Sequence, residues 1–378
     1  MSSLTHQAIV IGAGPIGLEV AAALKRSGLN PGTDLRVVDS GPIGHTIAWW
    51  APGTVFFSSP ERIQIAGVPL VTPDQAKASR EVYLRYLDAV AGAYDLQIDT
   101  FTRVTGLQKA PEGWQLRVQR AAVGVGGTAY RQGQDLFGPE RTLNARHVVL
   151  AIGDMHRPRR LDITGENLPH VKHYLSDPRE YAGRRVLIVG GKNSAVEAAI
   201  RLHRAGARVA LSYRRAEFHE KRVKYWLRPE LLWLIKTGRI DFHPQTLVEQ
   251  IEPDSARLRP CAWPDENTCQ YAGEPTSVPA DDVLLMTGYD QEPTLFQAAG
   301  VQTAGPNNAP VFDESTMETT AKGIFVAGTA TAGTQHRTTV YIETSHVHAD
   351  RIAQAITGKN PGFGGETARA EFAAMEES

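Results

Sequence analysis

The same short grammar occurs twice in this chain: an apolar strand, a glycine-rich turn, and a helix that starts at once. The first copy is Ala8-Ile9-Val10-Ile11 followed by Gly12-Ala13-Gly14-Pro15-Ile16-Gly17. The second is Val186-Leu187-Ile188-Val189 followed by Gly190-Gly191-Lys192-Asn193-Ser194-Ala195. A short, uniformly apolar run reads as a strand buried on both faces, the pattern of a parallel sheet. The helix entered through the glycine turn supplies the crossover that parallel strands need. The two copies therefore predict an α/β chain with two Rossmann-like dinucleotide-binding domains built on parallel sheets. Its 378 residues suit two domains of ordinary size.

In the first copy the glycines divide the work. Gly12 permits the tight turn, Gly14 lets the backbone approach a pyrophosphate, and Gly17 lets the helix pack close to the strand. The helix is expected from about Ile16 to Ser27, with Gly28 as its stop. Its N-terminus offers N–H groups and positive partial charge to phosphates. The next strand, Leu35-Arg36-Val37-Val38, ends in Asp39 and Ser40. This acid comes about 20 residues after the turn, where ribose hydroxyls are met. A turn this early in the chain points to FAD, with Gly12, Ala13, Gly14, Pro15, Ile16, Gly17, Asp39 and Ser40 as its ligands. Val104, Ala151, Gly153, Gly328, Thr329, Thr339 and Val340 are further candidates. Of these, Gly328 and Thr329 follow the buried strand Gly323-Ile324-Phe325-Val326-Ala327. Thr338-Thr339-Val340 is expected to open a helix through Glu343 to about Thr357, with its N-terminus toward the pyrimidine edge of a flavin.

In the second copy the acid is replaced by two cations. The helix, expected over Ala195 to Arg204, stops at Gly206, and the following strand, Ala207 to Tyr213, ends in Arg214-Arg215. A carboxylate there would repel a phosphate, whereas two guanidiniums suit the 2′-phosphate of NADPH. Lys192 stands where the second glycine of the motif is expected, so its ammonium substitutes charge for closeness. Gly190, Gly191, Lys192, Asn193, Ser194, Ala195, Arg214, Arg215 and Gly288 form the NADPH set.

Two apolar strands ending in small residues mark crossings between domains: Val148 to Gly153 and Val283 to Gly288. They predict an FAD domain at 1–157 and 289–360, an NADPH domain inserted at 158–288, and a mobile Gly/Ala/Glu-rich tail at 361–378. Arg157-Pro158-Arg159-Arg160 reads as a linker, and residues 121–141 (with Gly-Val-Gly-Gly-Thr at 124–128) and 259–279 read as loops. The only cysteines, Cys261 and Cys269, fall in the second loop at a spacing that is neither a redox pair nor a metal knuckle. They are incidental thiols or a regulatory disulfide. With 40 Lys+Arg against 41 Asp+Glu, no global field favours nucleic acid or an anionic membrane. The polar start and the lack of any long apolar run suggest a cytoplasmic protein without a membrane anchor.

Outside these motifs, Trp50 is a candidate to stack on a flavin or else a packed core residue. His336 is a candidate proton donor. His346 and His348 are two apart, so a helix places them on different faces, and no metal is expected. Lys221, Arg222, Lys224 and Arg228, interleaved with Tyr225 and Trp226, form a basic patch that binds an acidic protein partner or a substrate carboxylate, or is simply solvated.

Residues 1–360 resemble low-molecular-weight, thioredoxin-reductase-like two-domain flavoproteins, and within them the bacillithiol-disulfide-reductase-like branch. Phe56-Phe57-Ser58-Ser59, His173-Tyr174, Tyr341-Ile342-Glu343 with His348, and the lysine-bearing second turn carry the likeness. The resemblance implies FAD, NADPH, a homodimer and reduction of a small thiol disulfide. That branch commonly has cysteine within its first turn, where this chain has Ile16, and no CxxC is present. Exchange needs a thiolate on the enzyme. The expectation is an NADPH-dependent FAD oxidoreductase without an enzyme dithiol, and with no catalytic side chain beyond the flavin itself. Its electrons would go to a small disulfide, another small molecule or a small redox protein. The alternatives are a ferredoxin/flavodoxin–NADP-type electron-transfer reductase, a flavin monooxygenase, and a non-catalytic flavin redox sensor.

Overall fold

The apolar run at the start of the chain becomes the centre of a mixed sheet. The computed structural model describes residues 5–121, 136–262, 269–335 and 338–363. In it, Thr5–Ile11 pairs in parallel with Leu35–Val38 on one side and with the carboxyl half of Leu136–Leu150 on the other. Ile98–Asp99 and Ile324–Val326 extend this parallel core. The amino half of Leu136–Leu150 runs antiparallel to Gly113–Ala121, which pairs in turn with Thr102–Ala110. These strands belong to one unit, made of the chain up to Trp49, Gly53–Arg157 and the part from Tyr289 onward. Trp50–Pro52 and Pro158–Gly288 form the other.

The first helix, Pro15–Arg26, is buried from Ile16 to Leu24. Proline at its start has no N–H to leave unpaired, and Lys25 and Arg26 meet the negative end. Gly28, at φ +110°, turns the chain away. Burying Leu18, Val20 and Leu24 contributes roughly 1.5–3 kcal/mol each. The same helix carries one fully buried acid. Glu19 Oε1 accepts from Ala66 N (3.0 Å), and Oε2 lies 2.7 Å from His346 Nδ1. His346 Nε2 is 3.0 Å from Arg62 O, an acceptor, so that nitrogen carries a proton. The pair joins the first helix to the closing helix, Ile342–Thr357, and holds Ala66 in its left-handed conformation (φ +56°).

The second unit has a wholly parallel sheet in the order Ile240–Pro244, Arg208–Tyr213, Arg185–Val189, Asp282–Leu285, Val171–Lys172. Its helix, Asn193–Arg204, packs Val196, Ala199, Ile200 and Leu202 into the core with Ile188 and Leu211. A separate antiparallel sheet holds Thr246–Ile251, Ser255–Ala262 and Thr276–Pro279.

Several expected boundaries move. The stretch 259–279 is not one loop: it contains the end of Ser255–Ala262, Gln270–Tyr271 and Thr276–Pro279. Prolines at 260 and 279 hide this pattern, yet Ala256, Leu258 and Cys261 all turn into the core. Cys261 is therefore a buried strand residue, its Sγ 3.7 Å from Arg214 O. Residues 136–141, read as loop, belong to the long strand. The closing helix starts at Ile342 rather than Thr338. Thr338 to Val340 stay outside it because Gln335 Oε1 accepts from Thr339 N (2.8 Å) and Val340 N (3.0 Å). Residues 124–128, His336 and the tail beyond 363 lie outside the described residues.

Glu19→Ala removes one partner of a buried pair, so unfolding free energy should fall by about 3–5 kcal/mol. Denaturant melts of the two proteins check this, and a loss below about 1 kcal/mol would be the level of an exposed pair and would refute it.

Candidate functional site

The first glycine turn separates what the chain needs from what a ligand needs. A Cβ on Gly12 (φ +111°) would overlap Ala151 O, and one on Gly17 would overlap Gly12 O, so both glycines serve the packing of strand, turn and helix. Gly14 is different. Its backbone (φ −77°, ψ 179°) suits any residue, and a Cβ there would meet nothing within 4 Å. The fold itself does not require glycine at 14. Its bare backbone opens a cradle at the start of the Pro15–Arg26 helix, which fits a pyrophosphate.

Asp39 braces this turn. Its Oδ2 accepts from Ala13 N (2.7 Å), and its Oδ1 accepts from Gly41 N (2.8 Å) and lies 3.3 Å from His45 Nδ1. The short side chain reaches the neighbouring backbone, so the acid read as a ribose ligand is first a clamp on the loop. Ser40 Oγ lies at 3.5 Å from the same histidine nitrogen. The Val104 side chain is in the core, and its strand position is paired with Val118. Ile16 is buried and packs beside Gly328, with its Cβ 3.2 Å from where a Cβ of Gly328 would stand.

Elsewhere in the unit, four side chains outside both glycine turns tie the expected flavin segments together. Gln291 Nε2 donates to Gly153 O (2.9 Å) and Ala330 O (3.1 Å). Gln335 Nε2 donates to Asp154 Oδ2 (2.8 Å). Nδ1 of His348 accepts from Gly328 N (3.1 Å), and that of His156 accepts from Glu292 N (3.0 Å) while its Nε2 reaches Ile152 O (3.0 Å). Burial drives both imidazoles down to about 4, with Arg351 and His346 adding to the effect at His348. Sequence reasoning named His348 without this role and missed the other three, because each has a partner distant in the chain. Trp50 falls with the other unit, next to Ala51 in that unit's core and Pro52, whose carbonyl accepts from Arg201. Trp50 itself is half-buried and is grouped apart from the segments expected at the flavin.

In the second turn, Gly190 (φ +151°) lies against Met286 O and Ala195, and a Cβ on Gly191 would overlap the Tyr213 ring. Lys192 is the N-cap of the Asn193–Arg204 helix. Asn193 Oδ1 accepts from Lys224 N (2.8 Å), so it docks the basic segment onto that helix start. Ser194 follows in the first turn, and buried Ala195 supplies the close packing. Burial, then Arg222, Arg159 and Arg214, holds the Lys192 ammonium below its usual range. Burial and neighbouring Arg215 do the same to Arg214. Like charges gathered beside a helix N-terminus suit a polyanion such as NADPH. Arg159, whose Nη1 lies 3.5 Å from the position of a Cβ on Gly288, and Arg222 were not in the expected set. Cations flanking a crossing were the available signal. Of the basic patch, Arg228 pairs with Glu220 at 3.3 Å, and Lys224 Nζ lies 5.5 Å from the Trp226 ring centroid.

Residues 9–124 and 137–328 match the family described as pyridine nucleotide-disulphide oxidoreductase. Bacilliredoxin reductase of Bacillus subtilis (strain 168) is 28% identical over 353 residues, 93% of this chain and 98% of that one. Bacillithiol disulfide reductase from Bacillus cereus superposes with a TM-score of 0.81 at 30% identity, covering 94% of this chain and 99% of that one. A ferredoxin–NADP reductase of Ignicoccus hospitalis is 25% identical over 337 residues, 86% of this chain and 90% of that one. The near-complete superposition shows the expected two-domain Rossmann-like fold and the resemblance on which that expectation was built.

His156 and His348 titrate near 4 in the folded chain, against about 6.5 when unfolded. The unfolded state therefore binds more protons between these values. The stability from keeping both rings neutral is present above about pH 6.5 and lost as pH falls toward 4, at roughly 1.4 kcal/mol per pH unit for each ring. Melting temperature should drop across that window, and His348→Gln, which keeps an acceptor for Gly328 N, should flatten the drop. Parallel profiles for the two proteins would refute the assignment.

Proposed function

Because the chain belongs to the pyridine nucleotide-disulphide oxidoreductase family, we propose that its first unit holds FAD, its second holds NADPH, and electrons leave for a small acceptor without an enzyme dithiol. The chain is an NADPH-dependent flavin oxidoreductase. When bound, the two cofactors supply hydride transfer from nicotinamide to flavin and onward reduction of the acceptor. The protein's part is to bind and orient. Gly14 leaves room for pyrophosphate, the Pro15–Arg26 helix directs its N–H groups there, and Asp39 keeps the turn in place. Lys192, Arg214 and Arg215 neutralise the phosphates of NADPH, and the two arginines favour it over NADH.

The observation that carries the acceptor reading is Ile16. It is aliphatic and packed beside Gly328, at the position where the resembling branch has a cysteine. It offers no thiolate for exchange. Both cysteines belong to the other unit, Cys261 within a strand. A small disulfide would then draw its electrons from the bound flavin without an enzyme thiolate, in keeping with the bacillithiol disulfide reductases among the similar structures. A small redox protein is the second reading, supported by the ferredoxin–NADP reductase relative, whose name requires no thiol. A homodimer is what the resemblance implies. Among the described residues no helix is long and apolar enough to cross a membrane.

Gly14→Ala should fold normally, since the new methyl group meets no protein atom, yet lose most of its flavin on gel filtration. Full occupancy in that variant would remove pyrophosphate from this turn. Steady-state NADPH oxidation should be screened against bacillithiol disulfide, other low-molecular-weight disulfides, quinones and ferredoxin. With the best acceptor, changing Cys261 and Cys269 to Ala should leave kcat intact. Any change should fall on KM for NADPH, because Cys261 lies against Arg214. Loss of kcat with intact flavin reduction would restore a thiol relay.

A further inference from the structure

Asp154 has no place in either glycine motif, yet it sits where three segments of the first unit converge. It directly follows Gly153 at the end of the crossing strand. Its Oδ2 accepts from Gln335 Nε2 at 2.8 Å, and its carboxylate also accepts from the Thr329 side chain. The same Gln335 amide then turns to the segment before the closing helix. Its Oε1 accepts from Thr339 N at 2.8 Å and Val340 N at 3.0 Å, and its Nε2 reaches Val340 O at 3.3 Å. Gln335 thus satisfies two backbone donors with its oxygen and fixes its own orientation through Asp154. Burial works against the charge on Asp154 and raises its carboxyl above the usual range, opposed by its bonds to Gln335 and Thr329. The fold keeps a partly desolvated acid at this point, and the hydrogen bonds give it a task.

We propose that Asp154 is a positioning residue of the flavin site: through Gln335 it fixes the backbone of Thr339 and Val340, and with it the entrance to the Ile342–Thr357 helix, in the conformation that receives the cofactor. The inference rests on the reading that the first unit holds FAD. It explains why Thr338 to Val340 do not join the helix, although nothing in their own sequence forbids it. Their N–H groups are held by a side chain that is itself held from the crossing strand. Without Asp154 the Gln335 amide keeps only its bonds to the segment it holds, and that segment loses its anchor on the crossing strand. Asn at 154 keeps an oxygen for the Gln335 amide and so keeps the clamp without the charge. Gln291, which bridges Gly153 and Ala330 from the opposite side, holds the strand end itself, so the fold does not depend on Asp154 alone.

The test is a fluorescence titration of apoprotein with FAD, with the apo melting temperature as a folding control. Asp154→Ala and Gln335→Ala should each raise the Kd for FAD by about tenfold, the loss of one charge-assisted hydrogen bond. Asp154→Asn should restore near-normal affinity, which a general loss of packing would not allow. The double variant Asp154→Ala/Gln335→Ala should be no worse than the weaker-binding single, because both act through one clamp. Additive losses, or failure of Asp154→Asn to rescue, would overturn the proposal. So would normal affinity in Asp154→Ala when the unmodified protein binds FAD. If the unmodified protein binds no FAD, the flavin assignment itself fails and takes this inference with it.

Discussion

The closest constraint in the first unit is the approach of the Pro15–Arg26 helix to the strand it leaves. Gly17 lies so near Gly12 O, and Gly12 so near Ala151 O, that neither position tolerates a side chain. This contact sets how the helix start, the end of Thr5–Ile11 and the end of the crossing strand meet. Everything read as flavin-binding is arranged around that junction. Gly14 is open because the two glycines beside it are crowded. Asp39 draws Gly41 and Ala13 onto the same point. Gly328 reaches the junction beside Ile16 and is held there by His348.

The second unit repeats the grammar with different physics. Tyr213 packs over Gly191 and stacks on Phe218, ring centroids 5.3 Å apart, so the glycine there is demanded by an aromatic ring within the protein. Charge is gathered there instead: burial, then Arg222, Arg159 and Arg214, lowers the proton affinity of Lys192, and burial, then Arg215, lowers that of Arg214. Such a cluster is unfavourable alone and relieved by an anion, which makes the ligand part of the electrostatic design. One unit thus offers an open backbone at its helix start, and the other a gathering of cations.

Polar groups buried in the first unit are joined to one another and to backbone partners. Glu19 and His346 bind helix to helix, His156 and His348 accept from amides, and the two glutamines bridge segments. Each satisfies donors or acceptors that irregular chain would otherwise leave unpaired away from water. Non-helical turns around a cofactor need many such partners. This accounts for the concentration of His, Gln and acid at positions that belong to no motif.

The local grammar of strand, glycine turn and helix was legible in the sequence, and with it the α/β class, the two glycine turns and the pair of cations that ends the second unit's strand. Those features depend on backbone conformation and on side chains a few residues apart, which periodicity and glycine placement report directly. The antiparallel strands within 259–279 were hidden by prolines and by a short alternation. The roles of Asp39, Asp154, Gln291, Gln335 and His348 belonged to the tertiary structure alone. Each is defined by a hydrogen bond to a group that the fold, and not the neighbouring sequence, brings within 3.1 Å. A motif specifies which atoms a segment presents, and only the packed chain decides which distant atoms meet them.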